Sequence, residues 1–97
     1  MMQTVLISGR ITVNNSDEMR RKLSAALLSK PAQITVDLSE ATYIDTSGVA
    51  TLLEAVRIAR GQGTRFVLAG LNSQPLYLLE AAEFDRLFEI ATQETSV

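Results

Sequence analysis

Cysteine and histidine are both absent from this sequence of 97 residues. Without cysteine there is no disulfide, no thiolate nucleophile and no thiolate-bound zinc or iron–sulfur site. Without histidine there is no Ser-His-Asp triad, no imidazole proton shuttle and no imidazole-ligated metal. Lysine is nearly missing as well, with only Lys22 and Lys30. Chemistry would have to rest on carboxylates and hydroxyls. A small regulatory or adaptor module is therefore expected rather than an enzyme, with no cofactor and no metal. Long apolar runs are also missing. No stretch approaches the roughly 18 apolar residues of a membrane span, and the N-terminus lacks the basic segment followed by roughly 7–15 apolar residues of a signal peptide. A cytoplasmic protein without membrane insertion is the expectation. Nor is there a basic excess: nine basic and eleven acidic residues give a formal net charge of -2. The one basic run, Arg20-Arg21-Lys22, is offset by Asp17 and Glu18 and reads as a solvated helix face, so no direct nucleic-acid partner is expected.

What is present suffices for one core. The chain is 46% hydrophobic and 21% charged, and at this size folding buries roughly 60–65% of the unfolded chain's surface. A single domain over residues 1–97 is expected, with its core at about 3–91 and a polar, frayed tail at 92–97. Met2 to Ser8 reads as a strand rich in β-branched residues. Gly9-Arg10 reads as a short turn and Ile11-Thr12-Val13 as a hairpin partner. Asn15 with Glu18 fits a capping box before a helix from about Ser16 to Ser29, with Met19, Leu23, Ala26 and Leu27 as its apolar stripe and Pro31 as its stop. Gln33 to Asp37 reads as a buried strand and Leu38 to Ile44 as a loop. A second helix is expected from Thr46 or Ser47 to Arg60, with Val49, Leu52, Leu53 and Val56 inward and Gly61 at its end. Gly61-Gln62-Gly63 closes that helix and lacks the strand-to-helix setting of a phosphate loop. Arg65 to Ala69 is a strand. Ser73 is placed to cap a third helix, with Pro75 in its first turn and Leu76, Leu79 and Ala82 inward. Leu87 to Ile90 reads as a last short strand. The order is ββαβαβαβ, an α/β fold with a mixed, mostly parallel sheet of four to five strands and right-handed crossovers.

The informative stretch is Val36 to Val49. A buried strand ends in an acid, a loop follows, and a helix opens at Asp45-Thr46-Ser47-Gly48. Two hydroxyls and a carboxylate crowd a helix N-terminus, where backbone N–H groups are unpaired and the dipole is positive. Asp45 or Thr46 is expected to cap the helix. Gly48 is expected to leave this end sterically open. A phosphate on Ser47 would be tolerated or favoured there, by about 0.3–1 kcal/mol when exposed. Capping alone and phosphorylation both remain open from the residues. Tyr43, just before the motif, is expected to pack over the sheet with its hydroxyl in water, with stacking on a partner as the alternative.

Asp37-Leu38-Ser39 followed by Ile44-Asp45-Thr46-Ser47-Gly48-Val49 resembles the STAS domain of bacterial anti-sigma factor antagonists. Ala59-Arg60-Gly61-Gln62-Gly63, Phe66-Val67-Leu68 and Leu87-Phe88-Glu89-Ile90 fit the same family, and the resemblance covers about residues 3–91. It implies a switch. The serine matching Ser47 is phosphorylated by a partner that is both anti-sigma factor and serine kinase, with Thr46 as the secondary candidate. The unmodified domain binds that partner and frees the sigma factor, the phosphorylated form lets go, and a serine phosphatase restores it. Asp45, Thr46, Ser47, Gly48 and Tyr43 would form the partner-binding surface. Regulatory members of the family often continue into a fourth C-terminal helix, and Thr92 to Val97 is too short for one. In this respect the chain is similar to another STAS branch, the cytoplasmic subunits of ABC complexes that move phospholipid, in which the same loop and helix dock on the ATPase subunit.

Overall fold

In a computed structural model, which describes residues 1–91, the chain forms β1 (Met2–Ile11), α1 (Ser16–Leu28), β2 (Gln33–Ile44), α2 (Thr46–Gly61), β3 (Arg65–Ala69), α3 (Ser73–Ala81), a 3-10 turn (Phe84–Leu87) and β4 (Glu89–Ile90). The tail expected at 92–97 lies outside the described residues. The fold is α/β as the residues imply, but every strand pair is parallel and the sheet order is β1-β2-β3-β4. The expected first hairpin does not form, and the order is βαβαβαβ. Gly9 takes φ 79° without turning the chain back. It lies where the β1–β2 register slips, between Leu6 and Ser8 and again between Gly9 and Arg10. A strand glycine marks a bulge as readily as a turn, and here it bends β1 and lets it continue to Ile11.

The second half of β1 finds its partner in the stretch expected to be a loop. Ser8, Gly9, Arg10 and Ile11 pair with Glu40, Ala41, Tyr43 and Ile44. β2 thus runs to Ile44, well beyond β3, whose pairing ends at Asp37↔Ala69. This overhang carries the candidate site.

The core lies on one face of the sheet. Ile7, Ile34, Val36, Leu38, Phe66 and Leu68 meet Met19, Leu23, Ala26 and Leu27 of α1 and Val49, Leu52, Ala55, Val56 and Ala59 of α2. Spacings of three and four place each helical set on one stripe. Leu53 is only partly buried. On the opposite face Thr4, Leu6 and Arg65 are exposed, Thr35 and Asp37 are half-buried, and Val67 is buried. In α3, Leu79 is buried and Leu76 half-buried, whereas Ala82 is exposed and follows the helix. Leu87 ends the 3-10 turn rather than opening the last strand.

Two expected side-chain caps do not form. Asn15 holds the cap position of α1, but its side chain makes no cap bond there. It turns back, accepting from the Thr12 N–H at 2.7 Å and donating to the Arg10 carbonyl at 2.6 Å. Asparagine competes for nearby backbone in this way, and here it ties off the end of β1. In α3 the cap position is Asn72, and Ser73 sits inside the helix boundary at φ 51°. Among the described residues no helix is long and apolar enough to cross a membrane, and no cluster of potential metal ligands is present.

Candidate phosphorylation and docking site

The site is built where β2 stops and α2 starts. Asp45 leaves the strand with extended backbone (φ -106°, ψ -175°), and its N–H donates to the Ile11 carbonyl at 3.0 Å. Its carboxylate then serves two elements. Oδ1 accepts from the backbone N–H groups of Ser47 (2.9 Å) and Gly48 (3.2 Å) and from the Ser47 hydroxyl at 2.6 Å. Oδ2 accepts from the Val13 N–H at 3.2 Å, in the turn between β1 and α1. One side chain therefore satisfies orphan donors of the helix start, fixes the serine rotamer and pins a neighbouring turn.

Of the two capping candidates, Asp45 is the cap. Thr46 is exposed, and its hydroxyl has no hydrogen bond among the described residues. The Ser47 hydroxyl bond holds the Asp45 carboxyl below the usual carboxylate range, helped by the N–H groups of Gly48, Val13 and Ser47. The carboxylate is thus ionised at neutral pH and faces the hydroxyl it accepts from. Among the described residues no ion pair reaches Asp45 or Ser47.

Gly48 corrects an expectation. It is buried, and its missing side chain faces inward: a Cβ there would lie 2.6 Å from Ile44 Cγ1 and 2.9 Å from Ile11 Cγ2. The glycine lets the first turn of α2 settle onto the ends of β1 and β2, and it does not open the terminus outward. One turn later the buried Thr51 donates its hydroxyl to the Ser47 carbonyl at 3.0 Å, anchoring Ser47 from the helix side.

Tyr43 is half-buried, and its ring face is taken by its register partner. The Arg10 guanidinium stands over the ring, 4.4 Å from its centroid. The ring is thus packed by a side chain of the neighbouring strand β1. Asp37 stays apart from the site: it accepts from the Ser39 N–H at 2.9 Å, which lowers its pKa. Its role is local, beside Gly70, where a Cβ would meet Ser39 at 2.8 Å.

Two residues at the site escaped the sequence reading. Val13 is 71% exposed, an apolar side chain whose own N–H is held by the site carboxylate. Gln74 reaches across from α3 to the Ile44 peptide. Val13 is flanked by turn residues and carries no signal of its own. Gln74 lies thirty positions from its partner and has no local pattern to betray it.

Comparison with known proteins shows the family and the fold. The family model described as "Mlab, STAS domain" matches residues 2–90. A STAS-domain containing protein of Pseudomonas aeruginosa is 28% identical over 91% of this chain and 86% of its own length. The anti-sigma-B factor antagonist of Listeria monocytogenes is 22% identical over 93% of this chain and 79% of that protein. The solved structure of the anti-sigma factor antagonist SpoIIAA in its unphosphorylated form superposes with a TM-score of 0.70 at 16% identity, covering 93% of this chain and 78% of that one. At such identity the likeness to SpoIIAA is one of fold.

Proposed function

The chain belongs to the STAS family, and from that premise we propose that it is a phosphorylation-switched antagonist of an anti-sigma factor, with Ser47 as the modified residue. The observation that carries the reading is the Ser47 hydroxyl, half-exposed at the start of α2 and held at 2.6 Å by the Asp45 carboxylate. Supporting it are the names of relatives in this family, one an anti-sigma-B factor antagonist and one an antagonist solved in its unphosphorylated form.

In this reading a serine kinase that is also the anti-sigma factor brings a nucleoside triphosphate to the α2 terminus. Ser47 Oγ bonds to the terminal phosphorus, the bond to the diphosphate leaving group breaks, and the hydroxyl proton passes to a carboxylate, for which Asp45 Oδ1 is already in hydrogen-bond contact. The product carries about −1.5 to −2 added charges at one point. It no longer has a proton to donate to Asp45, and it faces that carboxylate. Against a closely fitted partner such like-charge juxtaposition costs several kcal/mol, and each 1.4 kcal/mol is about tenfold in affinity. Binding weaker by about a hundredfold or more follows without refolding. A serine phosphatase would reverse it. Thr46, exposed and outside the cap, is the secondary candidate for modification. Thr46 and Ser47, with Tyr43 at the rim, would form the contact surface, while Asp45 and the buried Gly48 shape it from below. The domain itself performs no catalysis in this reading and works in the cytoplasm.

The test uses a matched pair. Ser47→Ala is expected to bind the anti-sigma partner constitutively and Ser47→Asp poorly, while intact-mass and peptide mapping of the wild type after incubation with that kinase and ATP locate the phosphate on Ser47. Equal binding by the two variants would remove the switch. Absence of phosphate together with stable binding to an ABC ATPase subunit would move the chain to the transport branch.

A further inference from the structure

Gln74 makes two hydrogen bonds to the backbone of one residue, Ile44, beside the candidate site, and nothing in the switch described above uses it. β2 overhangs β3, so its β3-side edge has no strand partner beyond Asp37. The start of α3 fills that edge instead. Asn72 Nδ2 lies 3.5 Å from the Ser39 carbonyl. Gln74 Nε2 donates to the Ile44 carbonyl at 3.0 Å, and Gln74 Oε1 accepts from the Ile44 N–H at 2.8 Å. A primary amide carries the same donor and acceptor as a peptide group, so Gln74 closes with Ile44 the pairing a neighbouring strand would close. On the other side Ile11 is the register partner of Ile44 and accepts the Asp45 N–H. The last residue of β2 is thereby held from both edges.

The chain adopts strained backbone at this point. Ser73, between Asn72 and Gln74, sits at φ 51°, a region non-glycine residues enter rarely and keep only where the surroundings over-determine it. Asn72 is extended (φ -155°, ψ 171°), and the left-handed residue turns the backbone directly into the helix that bears Gln74.

We propose that Gln74 is a positioning residue for Ser47: by gripping the Ile44 peptide from α3, it fixes the strand end on which the Asp45 cap and the Ser47 hydroxyl stand. The inference rests on the switch reading only for the purpose of that hydroxyl, and its test needs neither kinase nor partner. The full chain is isotopically labelled as wild type, Gln74→Met and Gln74→Glu. Met keeps the length and removes both hydrogen bonds, while Glu keeps an acceptor for the Ile44 N–H and loses the donor. In the wild type a scalar coupling across the hydrogen bond is expected between Ile44 nitrogen and the Gln74 side-chain carbonyl carbon. In Gln74→Met the Ile44 amide should exchange at least tenfold faster. Amide shifts should move over Asp45 to Gly48 and hold in α1, and the Asp45 carboxyl should titrate closer to the ordinary range as the Ser47 bond loosens. Gln74→Glu should retain most of the Ile44 protection yet show the shifts at Asp45 to Gly48. It carries the test if the Met variant fails to fold. Wild-type protection and titration in both variants, or changes spread evenly over the chain, would overturn the proposal. Lack of phosphate on Ser47 would sink the switch reading and leave these measurements standing.

Discussion

Replacing Gly48 by alanine asks how tightly α2 is seated on the sheet. The added methyl would lie 2.6 Å from Ile44 Cγ1, 2.9 Å from Ile11 Cγ2 and 3.0 Å from Ile44 Cδ1. Ordinary contact begins near 3.4 Å, so the gap to Ile44 must open by about 0.8 Å. The two closest atoms sit on β-branched side chains, stiff at χ1, and both residues are buried, Ile44 to 1% and Ile11 to 2% exposure. Overpacking of this kind costs about 1–3 kcal/mol. Alanine returns up to about 1 kcal/mol of helix propensity, less in the first turn, leaving a net loss of roughly 1–2 kcal/mol. For a domain of this size that lowers Tm by about 5–15 °C, read by circular dichroism and checked as a shift in urea midpoint without a change in slope. A double-mutant cycle isolates the cause. Ile44→Ala alone should cost about 2–5 kcal/mol through its cavity, but in that background Gly48→Ala should cost clearly less, because both Ile44 contacts are gone and only the Ile11 contact at 2.9 Å remains. A Tm for Gly48→Ala at or above wild type, or the same penalty in both backgrounds to within about 0.5 kcal/mol, would refute the steric argument.

Three further outcomes follow from the site. The Asp45 carboxyl, held low mainly by the Ser47 hydroxyl, contributes stability that is complete above its unfolded pKa and is lost as pH falls through the lower folded value. Asp45→Asn should flatten that acid limb, and Ser47→Ala should raise the Asp45 titration seen by carboxyl-carbon NMR. Phosphoserine placed at position 47 by genetic encoding should move amides near Val13 and from Asp45 to Thr51 and leave the rest of the sheet unchanged; widespread shifts would contradict a switch that acts by charge. Thr51→Val removes the buried hydroxyl bond to the Ser47 carbonyl and should cost about 0.5–1.5 kcal/mol by chemical denaturation.

Helices were legible because their signals are local. The stripe Met19, Leu23, Ala26, Leu27 repeats every three to four residues and lies in the core, and the polar cluster Asp45-Thr46-Ser47 marks a helix start that the carboxylate indeed caps. The sheet was harder, because its evidence is distant. Ser39, Glu40 and Thr42 are exposed polar residues within β2, and their composition reads as a loop. What makes them strand is the backbone of β1 beyond its bulge, more than thirty positions away in sequence. For the same reason Gly9 invited a turn: a glycine between two β-branched runs does not say whether the second run folds back on the first or continues beside a third. Gly48 was found for its place in the motif, but its role reversed once its neighbours were known, since only Ile11 and Ile44 reveal which side of the helix is crowded.

The same packing bears on what kind of switch this surface supports. Ser47 stands on a turn tied to β1 through the Ile11 carbonyl, to the β1–α1 turn through Val13, to α2 through Thr51 and to α3 through the Gln74 grip on Ile44. A turn held by that many elements has few alternative conformations to offer, so a modification there cannot signal cheaply by rearranging the fold. What a phosphate there would change at little structural cost is charge and hydrogen-bond sense: the Asp45 carboxylate would face an anion in place of the donor it now meets. Val13 sits within the reach of that change, because its N–H is fixed by the second oxygen of the same carboxylate. If repulsion from the phosphate swings Asp45 away, the bond to Val13 weakens with it, and the exposed apolar side chain beside the site loses its support. Asp45→Asn, which keeps hydrogen-bond acceptance at one oxygen only, is therefore expected to free the Val13 N–H, read as faster amide exchange at Val13 with the core of α1 unchanged; Val13 exchange at the wild-type rate would refute it.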